Sequence, residues 1–346
     1  MMELSGKKVL VTGGAGFIGS HLVDTLVKEG CYVRVIDNLR NGKLGNLDHH
    51  RNNNCFEFIL GSITESPEII KAMKDIDIVF HLACLGVRHS IKHPFESHCV
   101  NAEGTLMVLQ EALKAGVKKF IHSSSSEVYG TAHYVPMSES HPTHPSTVYG
   151  ASKLAGEAYT RAYHKTYGLK TVVMRPFNVY GPRSHHEGDA GEIIPKSIVR
   201  SLNKEPIIIF GDGSQTRDYT FVEDTANGFI KAAKHDEAIG LTLNMGSDFE
   251  ISIKQVAEMI LNIINAQDPV QMRCLDTASV QGINHVKNRP GDVLRLFADT
   301  SAFRKITEWQ PEVSFEQGLI KTIEWFKSRP EPPLVLLGQE KGINWE

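Results

Sequence analysis

The chain has 346 residues, 41% of them apolar, with a net charge of −3 and five cysteines. That is enough for one nucleotide-binding domain and a smaller second domain, and the small charge without a long basic run argues against nucleic acid or a membrane surface as partner. Cys31, Cys55, Cys84, Cys99 and Cys274 form no CxxC pair, which suits a reducing cytoplasm, and no stretch reads as an export leader or a membrane span.

Residues 9–12 read as a strand. They run into Gly13-Gly14-Ala15-Gly16-Phe17-Ile18-Gly19 and then into an amphipathic stretch over 20–29. Glycines spaced by three between a strand and a helix suit a dinucleotide turn: a tight bend, close backbone approach to a pyrophosphate, and close helix–strand packing. The phosphate would then sit on a helix N-terminus. Gly13, Gly16, Phe17, Ile18 and Gly19 are the candidate residues there. Residues 31–36 read as a second buried strand ending on Asp37, near the offset of about 20 residues expected of a ribose-binding acid. A carboxylate repels a 2′-phosphate, so the expected cofactor is NAD rather than NADP. Asn38 belongs to the same set.

A polar loop over 38–54 precedes a third strand (55–60), a short helix (69–73) and a fourth strand (76–82) that is apolar almost throughout. Such alternation predicts an α/β fold with a doubly wound parallel sheet of Rossmann type. Residues 95–115 form a long helical pattern with apolar residues on more than one face. The fifth strand, 118–122, enters the hydroxyl-rich turn 123–130, at the carboxyl end of a strand, where open α/β sheets bind ligands.

Tyr149-Gly150-Ala151-Ser152-Lys153 opens a helix reaching Tyr167. Tyr149 and Lys153 are four residues apart and share a face. A phenol with a pKa of about 10 becomes a usable base when an ammonium and a cationic nicotinamide stabilise its phenolate. A sixth strand covers 170–175. The expected division is a cofactor domain over 1–175, a substrate domain over 176–328 with some segments returning to the first, and a tail over 329–346 after a Pro-rich linker. The second domain is expected to hold helices over 193–202, 221–234, 253–264 and 315–327, a strand over 206–210 and a polar loop over 211–218. The His-His pairs at His49 and His185 read as solvated loop residues without metal-site spacing, so no metal is expected.

These motifs together resemble the extended short-chain dehydrogenase/reductase family, the NAD-dependent nucleotide-sugar epimerases and dehydratases. The glycine turn, the Ser-rich turn ending Val128-Tyr129-Gly130, Tyr149 and Lys153, Arg175-Pro176-Phe177-Asn178-Val179-Tyr180-Gly181-Pro182, and Arg217-Asp218-Tyr219 occur in the family's order. The resemblance implies Ser125 as the catalytic serine, Tyr149 as acid/base and Lys153 as its modulator and a ribose ligand. It implies Asn178, Arg217 and Arg289 at the diphosphate of a nucleotide-sugar substrate; Ser125 also touches that substrate. His81, Leu82 and Ala83 would line the cofactor, with Asn101 a structural neighbour.

Two departures stand out. Gly61-Ser62 replaces the usual acid after the third strand, which puts that adenine contact in doubt. Ser126-Glu127 replaces the Asp-Glu of hexose 4,6-dehydratases and looks more like UDP-glucuronate decarboxylases and some amino-sugar dehydratases. Glu127 therefore inclines the reading to a lyase, either a dehydratase or a decarboxylase. A nucleotide-sugar 4-epimerase is the alternative, and a catalytically silent NAD-binding protein a more remote one. Apolar residues outside one stripe, among them Leu154, Ala158 and Tyr163, together with the family's four-helix interface, imply a homodimer.

Overall fold

The computed structural model describes residues 1–266 and 282–345. Cys274 lies outside the described residues. The first half runs β1 (Lys8–Thr12), α1 (Phe17–Lys28), β2 (Tyr32–Asp37), β3 (Phe56–Leu60), α2 (Ser66–Met73), β4 (Ile78–His81), α3 (Val87–Lys92), α4 (Pro94–His98), α5 (Gly104–Lys114), β5 (Lys119–Ser123), α6 (Val148–Tyr167) and β6 (Thr171–Pro176). The second runs β7 (Asn178–Tyr180), α7 (Ile193–Leu202), β8 (Ile207–Phe210), β9 (Thr216–Phe221), α8 (Val222–Lys234), β10 (Thr242–Met245), β11 (Glu250–Ser252), α9 (Ile253–Ala266), β12 (Ile283–Val286), α10 (Ser301–Thr307), α11 (Phe315–Lys327) and α12 (Pro333–Gln339).

Seven parallel strands form the main sheet in the order β10-β6-β5-β4-β1-β2-β3. The order reverses between β1 and β4, so their carboxyl ends open a crevice. The fold is the expected Rossmann-type α/β sheet with flanking helices. β1 and β4 are buried on both faces because their residues are apolar almost throughout. α6 starts where the Thr147 hydroxyl accepts from Gly150 N at 3.1 Å and stops at Gly168, whose φ of 72° breaks the helix.

The chain returns to this sheet after Pro176. β10 pairs with β6, and α8 lies on α1, placing Ala226, Phe229 and Ile230 with Leu22 and Val35 in one core that also takes Phe303 and Trp309. A second core gathers Ile198, Ile207, Val256, Ile260, Leu319 and Phe326 from α7, β8, α9 and α11. Two small sheets, β11-β9-β7 and β12-β8, belong to that lobe.

Several local expectations need correction. The pattern over 95–115 is not one helix: a π-helical turn at Cys99–Glu103 separates α4 from α5. The Asn101 side chain in that turn accepts from Leu85 N at 2.8 Å and donates to Leu85 O at 2.9 Å, fixing the loop after β4. The polar loop 38–54 contains a 3₁₀ stretch, Leu44–His50, and the loop expected through 218 becomes strand at Thr216.

The described part of the expected tail, residues 329–345, packs on the second lobe. Leu336 is buried, Glu340 reaches Lys196 at 3.0 Å and Arg200 at 2.9 Å, and Asn344 donates to Gly188 O and Gly191 O. The histidine pairs are not simply solvated either, since His50 and His186 are buried. His49 and His50 both reach Asp24 Oδ1 at 2.7 Å, while Arg183 holds Asp24 Oδ2 at 2.9 Å. These groups converge closely enough for a metal ion, but the guanidinium already supplies the carboxylate's counter-charge. Among the described residues no helix is long and apolar enough to cross a membrane.

Candidate active site

A cavity of about 690 Å³ runs from the glycine turn across the strand ends to Arg217 and Arg289 in the second lobe. Its wall includes Gly13, Gly16, Phe17, Ile18, Gly19, Asp37, Asn38, Leu82 and Ala83, so the first loop, the end of β2 and the end of β4 meet in one place. Gly13 has φ +70°, and a Cβ there would lie 2.8 Å from Ala83 N and Cα. Only glycine permits both the turn and that approach. The Asp37 carboxylate accepts from Ala15 N at 3.0 Å and Leu39 N at 2.8 Å, one bond per oxygen. Each oxygen keeps acceptor capacity for a ribose hydroxyl. Burial raises the Asp37 pKa, and these two backbone bonds oppose the rise.

The strand ends are wired together. Thr12 Oγ1 accepts from Leu82 N and Ala83 N at 3.2 Å each, and His81 bridges Thr12 at 2.8 Å and Thr105 at 2.9 Å. Burial, then the Lys153 charge, lowers His81 to about 3, so the ring is neutral. Where the acid after the third strand is missing, Glu68 of α2 folds back to accept from Ser62 N. Ser62 itself lines the cavity, leaving a hydroxyl in that position. The whole set fits NAD: a cradle that a Cβ would fill, a helix N-terminus, and a carboxylate with acceptors to spare.

Ser125, Glu127, Tyr149 and Lys153 line the middle of the cavity. Ser125 is the N-cap of a 3₁₀ turn, Ser126–Val128, and its hydroxyl accepts from Glu127 N at 3.2 Å. Gly150 lets α6 begin against this turn, since a Cβ there would lie 2.6 Å from Glu127 O. Glu127 is buried, and its Oε2 has no hydrogen-bond partner among the described residues. Burial pushes the Tyr149 phenol well above its ordinary value. The Cys84 thiol adds to the rise, the Ser125 hydrogen bond opposes it, and Glu127 and Glu192 reinforce it. Lys153 Nζ donates to Ser123 O at 2.8 Å. Of the two cations expected to stabilise the phenolate, the lysine alone does not bring its pKa down; burial dominates.

Behind the serine turn, Glu157 accepts from Ser124 Oγ at 2.5 Å, Arg161 at 2.9 Å and both arms of Arg175 at 2.8 and 2.6 Å. Arg175 also donates to Tyr129 OH at 2.8 Å, and Tyr129 donates to Asn244 at 2.7 Å. Burial raises the Glu157 pKa, but the Arg175 hydrogen bonds and charge more than reverse this and hold it below its ordinary range. This buried network locks β5, α6, β6 and β10 around the reacting groups.

At the far end, Arg217 and Arg289 both donate to Asp292 Oδ1, at 3.1 and 2.5 Å. Asn178 Oδ1, Arg289 Nε and Tyr219 OH are buried without partners. Two guanidiniums and the Asn178 side chain thus line this end of the cavity. Arg88, Glu192 and Tyr219 also line the cavity, and the sequence reading missed all three. Arg88 had a signal available: it follows the fourth strand, and the strand-end rule that singled out residues 123–130 applies there too.

The GDP-mannose 4,6 dehydratase family model matches residues 10–322. The chain is 34% identical to a UDP-glucose 4-epimerase of Mycolicibacterium smegmatis over 94% of this chain and 100% of that protein. It is 35% identical to a UDP-N-acetyl-alpha-D-glucosaminuronate decarboxylase of Bacillus cytotoxicus, over 93% and 98% respectively. The solved dTDP-glucose 4,6-dehydratase DesIV of Streptomyces venezuelae, with NAD and TYD bound, superposes with a TM-score of 0.85 at 29% identity, over 93% of this chain and 97% of that one.

Proposed function

Since the chain belongs to the GDP-mannose 4,6 dehydratase family of NAD-dependent nucleotide-sugar enzymes of the extended short-chain dehydrogenase/reductase type, we propose that it is a lyase whose substrate passes through a transient 4-keto sugar. Gly13, Gly16 and Asp37 would hold NAD, which when bound would supply reversible hydride acceptance at C4. Tyr149 takes the C4 hydroxyl proton, Ser125 orients that hydroxyl, and Lys153 holds the cofactor end and favours the phenolate. Asn178, Arg217 and Arg289 bind the diphosphate.

One observation carries the lyase assignment. Glu127 presents a buried carboxylate oxygen without a protein partner to the cavity that holds Tyr149, and the Glu127 backbone, not its side chain, is what the adjacent turn uses. A buried polar atom left unpaired in a cleft marks a ligand contact. Beside a 4-keto sugar, that carboxylate suits removal of the C5 proton or assistance in losing a C5 carboxylate.

With a hexose in deuterium oxide, the product is expected to carry deuterium at C5; with a uronate, carbon dioxide is released. Glu127→Gln stops either event while transient NADH absorbance persists. Unlabelled product, no carbon dioxide and normal turnover of Glu127→Gln would shift the assignment to a 4-epimerase, whose C5 proton is never touched.

The assembly proposed is a homodimer in a reducing cytoplasm. Tyr163 and Leu154 pack partly on the chain's own core, yet Phe95, Leu106, Val148 and Tyr167 of the α4–α5 and α6 helices remain exposed. Those apolar side chains support pairing of these helices with their copies. Sedimentation at micromolar concentration checks this, a monomer being the contrary result.

A further inference from the structure

We propose that Arg88 receives a carboxylate borne by the sugar, so that the substrate is a nucleotide-diphosphate hexuronate and not a neutral hexose. This rests on reading the cleft as a nucleotide-sugar site. Four arginines line the cavity. Arg40 is held by Glu96, and Arg217 and Arg289 by Asp292. Arg88, in the first turn of α3, is half-buried on the cavity wall and makes no hydrogen bond or ion pair among the described residues. A guanidinium on a cleft wall with no partner among the described residues has its donors open to a ligand, and its planar fork matches a carboxylate through two parallel hydrogen bonds.

Its surroundings separate a sugar carboxylate from the diphosphate as the anion it takes. Arg217 and Arg289 already bring two cations to the opposite lobe, whereas Arg88 sits on the cofactor-domain wall. Burial and the Arg289 charge lower its pKa to about 10, while Glu192, Asp292 and Glu127 pull the other way. Arg88 therefore lies within the electrostatic reach of both Arg289 and Glu127. A uronate carboxylate brought near Glu127 would meet a like charge, and a guanidinium in reach of both is the group that offsets it. Burial raises the pKa of Glu192, and Arg88 is the chief charge opposing that rise.

The test is calorimetric binding to the NAD-loaded enzyme of the free nucleoside diphosphate, its glucose ester and its glucuronate ester, in the UDP or dTDP series, whichever diphosphate binds more tightly. The wild type is expected to bind the glucuronate ester about 10- to 100-fold more tightly than the glucose ester, the range for a hydrogen bond to a charged group. Arg88→Gln should bring that ratio close to one without altering the diphosphate affinity, and Arg88→Lys should retain part of it. NAD content reports whether each variant is folded. A wild type that does not prefer the glucuronate ester overturns the proposal by itself. So does equal weakening of all three ligands in Arg88→Gln, which would assign Arg88 to the diphosphate. Failure of the reaction reading shows separately, as no NADH absorbance with either sugar while the Arg88-dependent preference survives.

Discussion

The two walls of the cleft treat their polar groups in opposite ways. In the frame behind the cofactor end, Thr12, His81, Asn101 and Glu157, with Asp37 on the cavity wall itself, are each bonded to the protein more than once. On the substrate side Glu127 Oε2, Asn178 Oδ1, Tyr219 OH and Arg289 Nε are buried and unpaired. Buried polar groups are normally satisfied, and each exception calls for a reason. A cofactor recycled in place can be met by a fixed frame. A substrate that arrives and leaves must supply the missing bonds itself, so the same physical deficit marks where it binds.

Substitutions on the two walls should therefore fail differently. The largest effect is expected at the reacting centre, where Tyr149→Phe should cut turnover by about 10²- to 10⁴-fold while NAD still copurifies, since general acid/base catalysis has that range. Single-turnover NADH absorbance measures it; a near-normal rate would remove Tyr149 from the chemistry.

Breaking the prewired frame should unfold the protein rather than slow it. Glu157→Gln leaves the Arg175 cation buried with a weakened partner, and the expected loss is about 3–5 kcal/mol, read by denaturant titration. Its pH dependence has a definite sign. The Glu157 pKa is held below the ordinary 4.5 in the folded state, so the pair's contribution is complete above that pH and is lost as pH falls through the lowered value. The gap between wild type and variant should narrow on acidification; a constant gap would mean the charge is not what stabilises.

Asp37→Asn should weaken NAD by about 10- to 100-fold and reduce discrimination against NADP, because one carboxylate oxygen becomes a donor facing Ala15 N or Leu39 N. Assay of the nucleotide released on denaturation checks it, and wild type that releases NADP would overturn the role of Asp37. The smallest effect is expected on the substrate side. Asn178→Ala removes a group that is already unpaired, so stability should be unchanged to within about 0.5 kcal/mol while KM rises about tenfold. A large drop in stability there would break the contrast between the walls.

Legibility in the sequence followed the range of the interactions. The glycine turn, Asp37 and the Tyr149–Lys153 pair were readable because each depends on spacing within a single strand–turn–helix unit. β10 was missed because it is four residues long and defined by its pairing with β6. The break at Cys99–Glu103 was missed because it serves Leu85, sixteen residues upstream of Asn101, and leaves the helical pattern intact. Arg88, Glu192 and Tyr219 come from three elements that only the folded chain brings to one cavity. The closing segment looked like a tail because its proline cluster hides a helix whose apolar face, at Leu336, is short.

That closing segment bears on the order of events during synthesis. Asn344 ties down the carbonyls of Gly188 and Gly191, and Lys196 is held by Glu340 and by the carbonyls of Lys341 and Gly342. The loop carrying Asp189 and Glu192 on the cavity wall is thus fastened by residues made some 150 positions later. A nascent chain completes the main sheet and its core only once β10, Phe303 and Trp309 have been made. Its substrate wall is fastened later still, after Asn344 has emerged, so a chain cut before Glu340 is expected to keep the main sheet and its core yet hold substrate poorly.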